Sequence, residues 1–166
     1  MRGPSAPISL PDKKAKTMET SLNIPLYAGL LGGALLILQN ILMVSVGMYR
    51  TKAGKSVGVG DDVTLERRVR RHGNLAENAA IFVAALTLYE LMFGQTAIAL
   101  LVAIVFATAR GLHIAGFASD AGSHLIGVNA GKKVFVLMRA AGAGLSALSS
   151  VVLGGALVVS LLSGSV

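Results

Sequence analysis

From Glu66 to Asn78 the chain reads Glu-Arg-Arg-Val-Arg-Arg-His-Gly-Asn-Leu-Ala-Glu-Asn, and it passes without a break into an apolar run. Asn74, Glu77 and Asn78 therefore fall inside or at the lip of a membrane helix. Ionisable groups are costly there and face a bundle interior or a water-filled cavity. At about 3.6 residues per turn, Arg67, Arg70, Asn74 and Glu77 form one stripe. Arg110 and His113 lie near the end of the next apolar run, followed by Phe117. The short turn Gly94-Gln95-Thr96 joins the two runs into an antiparallel hairpin. Glu77 and His113 are equally far from Gln95, so they are expected at equal depth. Asn74 falls level with Gly116, and Arg110 about one turn deeper. A carboxylate, an amide, an imidazole and a guanidinium can thus meet in one layer and form one shared site. Three plainer readings stand beside that one. Arg110 and Glu77 could be a buried ion pair that fixes register. The run of arginines could report membrane orientation alone. Glu77 could carry protons for a small transporter, although an acid partnered by Arg110 carries protons poorly near neutral pH. A metal site is not expected, because His72, His113 and Glu77 lack a paired-histidine spacing.

These residues need elements to position them, and composition says which kind. The chain of 166 residues is 54% hydrophobic and 14% charged, with a mean hydropathy of +0.70, which is too apolar for an ordinary soluble domain. It has no cysteine, hence no disulfide and no thiolate nucleophile of its own. The net charge of +7 does not imply a nucleic-acid partner, because its Lys and Arg residues flank apolar segments. Four such segments occupy 24–48, 75–93, 97–117 and 134–162. Each reaches, or nearly reaches, the roughly 20 residues that cross a bilayer core. Backbone groups in lipid must be satisfied within the segment, so the expected fold is all-α: an integral membrane bundle of four transmembrane helices. The second helix should begin near Thr64, with Asp61 or Asp62 as its cap.

Residues 1–21 carry Pro4, Pro7 and Pro11 with Lys13, Lys14 and Lys16, and read as a polar, disordered leader before a membrane domain over 22–166. The first loop, 49–63, is long and polar, and the third, 118–131, is of medium length. Arg50, Lys52, Lys55, Arg67, Arg68, Arg70, Arg71, Lys132 and Lys133 gather on one side, which places loops one and three in the cytoplasm and both termini outside. The absence of a retention signal and the richness in Ala, Val and Gly favour a bacterial inner membrane. Gly29, Gly32 and Gly33 on the first helix and Gly142, Gly144, Gly154 and Gly155 on the fourth are positions for close helix approach. Glu90, near the outer turn, reads as an interface or snorkelling residue.

The pattern Glu66-Arg67, Arg70-Arg71-His72-Gly73-Asn74, Glu77 and then Arg110 and His113 one helix later resembles the MAPEG family, the membrane-associated proteins in eicosanoid and glutathione metabolism. With the four spans, the long first loop and the tight second turn, the resemblance covers about 24–162. It implies a four-helix subunit in a homotrimer, with glutathione bound between subunits near the cytoplasmic face. It also implies a glutathione-dependent transferase or lipid hydroperoxide peroxidase that works by thiolate attack on an apolar, lipid-like substrate. Carried over by position, Arg70, Asn74 and Glu77 would anchor glutathione or another small thiol, supported by Arg110 and His113. Glutathione has two carboxylates and an ammonium group, which suit guanidinium forks and an acid or amide. The cation that lowers the thiol pKa would be Lys132 or Lys133 at the start of the fourth helix, with Arg139 less well placed. The chain departs from the family pattern at several points. It has no basic residue within 24–48, and Gly73 replaces a second Arg. Phe117 replaces a Tyr, and Ala79, Ala80 and Ile81 stand where a Pro is usual. Those departures leave open a non-catalytic structural or interaction protein that keeps the fold.

Overall fold

Each apolar segment is a helix. The computed structural model describes residues 23–119 and 130–164. Its elements are α1 (Leu26–Ala53), α2 (Val63–Phe93), α3 (Ala97–Gly116) and α4 (Ala130–Leu162), and there is no strand among the described residues. The shortest, α3, has 20 residues. At about 1.5 Å per residue that length crosses a bilayer core. All four are long and apolar enough to span. Leu30, Ile37, Ile41, Ile81, Leu101 and Val151 are all more than half exposed, which suits lipid or another copy rather than water. The polar leader expected over 1–21 and most of the third loop lie outside the described residues.

Local chemistry sets the ends. Asp62 caps α2 as expected, its Oδ1 accepting from Thr64 N at 3.1 Å and Leu65 N at 2.9 Å. Thr96 caps α3 through Ala99 N. Two boundaries differ from the sequence reading. α1 runs on past Met48 to Ala53, so the first loop shrinks to 54–62. Arg50 and Lys52 suit the negative end of that helix, and Gly54 closes it at φ 64°. α1 also starts at Leu26, just after Pro25, rather than at residue 24.

Pro25 offers no side-chain cap, and the helix start finds one elsewhere. Glu90, near the end of α2, accepts from Tyr27 N at 3.1 Å and from Ala28 N at 2.6 Å. Its side chain is fully buried. The expectation of a snorkelling or interface residue is therefore corrected: Glu90 supplies the missing cap of α1 from a neighbouring helix, where a carboxylate also meets the positive helix end.

Consecutive helices pair unevenly. α2 and α3 are joined by the 94–96 turn, yet α1 packs chiefly along α2 and α3 chiefly along α4. Glycines explain the second pairing. A Cβ on Gly142 of α4 would lie 2.6 Å from Ala109 O and 2.7 Å from His113 N, and one on Gly116 of α3 would strike Arg139 and lie 2.8 Å from Phe135 O. The α3 and α4 backbones touch at these points. Between α2 and α3 stand larger groups, with Phe82 stacked on Phe106 at 3.8 Å between ring centroids. Of the other glycines singled out on α1 and α4, only Gly32 has a close neighbour, Val83; Gly29, Gly33, Gly144, Gly154 and Gly155 face open space.

Candidate functional site

The polar residues of α2 divide between faces. Arg70 is exposed and pairs with Glu66 across one turn, Nε to Oε1 at 2.8 Å. Asn74 donates through Nδ2 to Arg70 O at 2.8 Å, which leaves its Oδ1 available. Glu77 is exposed and has no hydrogen-bond or ion-pair partner among the described residues. It stands with Asn78 at one end of a groove of about 260 Å³ between α2 and α4, whose walls include Ile81, Phe82, Leu153 and Gly154. A free carboxylate thus borders an apolar trough.

Arg110 is 3% exposed. Its Nη1 donates to Asn74 O at 3.3 Å, and its Nη2 to Gly142 O at 3.2 Å and to Ser146 Oγ. Its guanidinium lies 5.4 Å above the Phe106 ring centroid. No carboxylate reaches it among the described residues. The Arg110–Glu77 ion pair, one of the plainer readings of the sequence, is therefore not formed. Backbone carbonyls and a serine carry the charge instead, and they tie α2, α3 and α4 together. Equal depth in the hairpin did not translate into contact, because α3 turns its polar side toward α4.

His113 shows the same turn. Its Nδ1 lies 3.1 Å from Arg139 O. A carbonyl can only accept, so Nδ1 carries the hydrogen and Nε2 keeps a lone pair. Nε2 is buried without a partner. Phe117 packs edge-on to His113 at 5.3 Å, and Arg139 stands 5.2 Å over the Phe117 ring. Lys132 and Lys133 open α4, the second of them exposed. So Arg139, rather than either lysine, is the cation of α4 seen beside His113.

The sequence reading missed one polar pair. Gln39 of α1 and His72 of α2 bring Nε2 atoms to 2.6 Å, and Gln39 Oε1 is buried without a partner. Nothing in the apolar run around Gln39 advertised it beyond the amide itself. A groove of about 740 Å³ runs along the outer side of α1 past Leu36, Ile41 and Met48, away from these groups. Among the described residues no three His, Asp or Glu side chains stand close enough to hold a metal ion.

The four-helix chain has a counterpart among known protein families. The model of the MAPEG family matches residues 26–159, most of the chain and all four helices. The chain belongs to the MAPEG family. A search of curated proteins returned no match. As a MAPEG protein it is an integral membrane protein of the glutathione and eicosanoid metabolism type. In this MAPEG chain Arg70, Asn74 and Glu77 lie on one stretch of α2, and Arg110 and His113 stand behind them, against α4.

Proposed function

We propose that this protein binds glutathione or a closely related small thiol and uses the thiolate against an apolar substrate drawn from the bilayer. The observation that carries this reading is the state of Glu77. It is an unpaired, exposed carboxylate beside an apolar groove, with Arg70 and Asn74 on the turns before it. An unpaired acid can take the ammonium group of a tripeptide, and Arg70 its carboxylate. Arg110 acts from behind, holding Asn74 O so that the Asn74 amide keeps its place. His113 supports the stripe from α3, its Nδ1 held by Arg139 O.

The chain has no cysteine, so the nucleophile is the bound thiol. A nearby cation favours the thiolate over the thiol. Lys132 or Lys133 takes that role in this proposal, and Arg139 is the alternative that its position beside His113 supports. In conjugation, sulfur attacks an electrophilic carbon and a leaving group departs with its electron pair. In peroxide reduction, sulfur attacks the terminal oxygen of a lipid hydroperoxide. That step releases the alcohol and leaves a sulfenic acid, which a second thiol converts to disulfide and water. We place the active form in a homotrimer in a bacterial inner membrane, with loops one and three in the cytoplasm and both termini outside.

The test is turnover by the purified protein with glutathione and either a chloronitroaromatic electrophile or a fatty-acid hydroperoxide. Glu77→Gln and Arg70→Ala are expected to lose activity while keeping the oligomer of the parent. Dissolution of the oligomer by either change would make these residues structural and sink the assignment. A non-catalytic reading has one observation in its favour: both terminal nitrogens of Arg110 bond within the bundle, to Asn74 O, Gly142 O and Ser146 Oγ, as in a structural lock. Absence of any thiol-dependent turnover together with absence of thiol binding would select it.

A further inference from the structure

A second face of α2 is left unexplained by the thiol site. Thr64, Arg67, Arg68 and Arg71 follow i, i+3, i+4, i+7 spacing and, with Phe117 and Ala118, line a cavity of about 120 Å³ between the start of α2 and the end of α3. Arg70, Asn74 and Glu77 do not line it. Two guanidinium atoms among these residues, Arg67 Nη1 and Arg71 Nε, are buried without a hydrogen-bond partner. Arg68 is already engaged, donating to Ser45 Oγ at 2.5 Å and lying 4.9 Å over the Tyr49 ring. Arg67 Nη2 donates to Thr64 Oγ1 at 3.4 Å, so the Thr64 hydroxyl hydrogen can point elsewhere. The ion pairs among the described residues, Lys55–Asp62 and Arg70–Glu66, reach none of the three arginines.

Three like charges around one cavity repel each other, and a buried N–H on a charged group is costly to leave unsatisfied. Unpaired buried donors in native proteins commonly point to a bound water or ion. Water would satisfy the donors and leave the repulsion in place. An oxyanion does both. At about 30 Å³ per water the cavity has room for roughly four waters, which is also room for one small tetrahedral anion. Guanidinium forks bind phosphate oxygens in pairs, and a phosphate carries up to two charges and three strong acceptors.

We propose that Arg67, Arg71 and Arg68 form a phosphate-group site, separate from the thiol site and within one subunit, with the Thr64 hydroxyl as a further donor. The phosphate group is that of an anionic lipid headgroup or free inorganic phosphate. The start of α2, where an apolar span meets its polar loop, is a depth that either source can reach.

The experiment measures the thermal unfolding of the full chain in two arms. In lipid-stripped detergent, sodium phosphate is titrated against sodium chloride at matched ionic strength. In nanodiscs, phosphatidylglycerol is compared with phosphatidylcholine. Saturable stabilisation by phosphate identifies the free anion, and stabilisation by phosphatidylglycerol alone identifies the lipid. In either case Arg67→Gln/Arg71→Gln should weaken the response at least tenfold in Kd, whereas Arg70→Gln should retain it. If the double variant does not fold, Arg67→Lys/Arg71→Lys keeps the charge, removes the forks and should show a partial loss. A parent indifferent to both probes, or a double variant that responds like the parent, overturns the site. So does a phosphate response abolished by saturating glutathione, because that would place the anion in the thiol site. Failure of glutathione to bind would leave the phosphate result intact, which keeps the two readings separable.

Discussion

Glu90 shows how one side chain can finish another helix. Its carboxylate meets Tyr27 N and Ala28 N, the two donors that a capping side chain at position 25 would satisfy if it were not Pro25. Replacement by leucine leaves two buried donors unpaired, at about 1–3 kcal/mol each. Glu90→Leu should therefore lower stability in a denaturant titration by about 2–6 kcal/mol, taking both donors together. Glu90→Gln, which keeps one acceptor, should lose less. Faster amide exchange at Tyr27 and Ala28 would locate the damage. Equal stability of Glu90→Leu and the parent would show that water or lipid headgroups cap α1 instead. The sequence could not display this role, because it depends on where the start of α1 falls against the end of α2. An acid within an apolar run looks the same whether it snorkels or caps.

Among elements, the close approach of α3 and α4 positions the candidate site. Gly142 admits the backbone at Ala109 and His113, and that contact holds Arg110 against Gly142 O and His113 against Arg139 O. Gly142→Leu should push α3 away, lower stability by about 1–3 kcal/mol and broaden the His113 imidazole resonances. The same substitution at Gly144, which faces open space, should do neither. Responses of equal size at the two positions would contradict this packing. The α2 cap makes a pH prediction. The Leu65 N–H holds the Asp62 carboxyl below the ordinary carboxylate range, helped by Lys55, the Tyr49 hydroxyl and the Thr64 N–H. A depressed folded pKa stabilises fully above the unfolded value and is lost as pH falls through the folded one. Protection of the Leu65 amide, corrected for intrinsic exchange, should hold from neutral pH down to the unfolded value near 3.8 and then fall. Asp62→Ala should be weakly protected throughout. Helix existence, the Asp62 cap and the 94–96 turn were legible because length, apolar content and capping chemistry are local. The partner of Arg110 was not. It required knowing that Gly116 and Gly142 draw α3 to α4, so chain adjacency suggested Glu77 where the bundle supplies carbonyls and Ser146.

For the whole molecule, the exposed apolar residues of all four helices place the bundle in a bilayer, and the basic residues of loop 54–62 and early α2 set the proposed orientation. The lack of cysteine makes that orientation easy to read. In intact spheroplasts an impermeant maleimide should label Gln95→Cys and leave Ser56→Cys unlabelled. The reverse pattern would invert the topology. Membership of the MAPEG family and the four spans follow from the chain as a whole, whereas the retention of chemistry rests on a few residues of α2. The measurement that tests this most directly is calorimetric titration of the detergent-purified parent with glutathione, with Asn74→Ala as control. Saturable binding by the parent and its loss in the variant are expected. Absence of binding up to millimolar glutathione, or equal binding by both proteins, would contradict a thiol site on the Arg70–Asn74–Glu77 stripe.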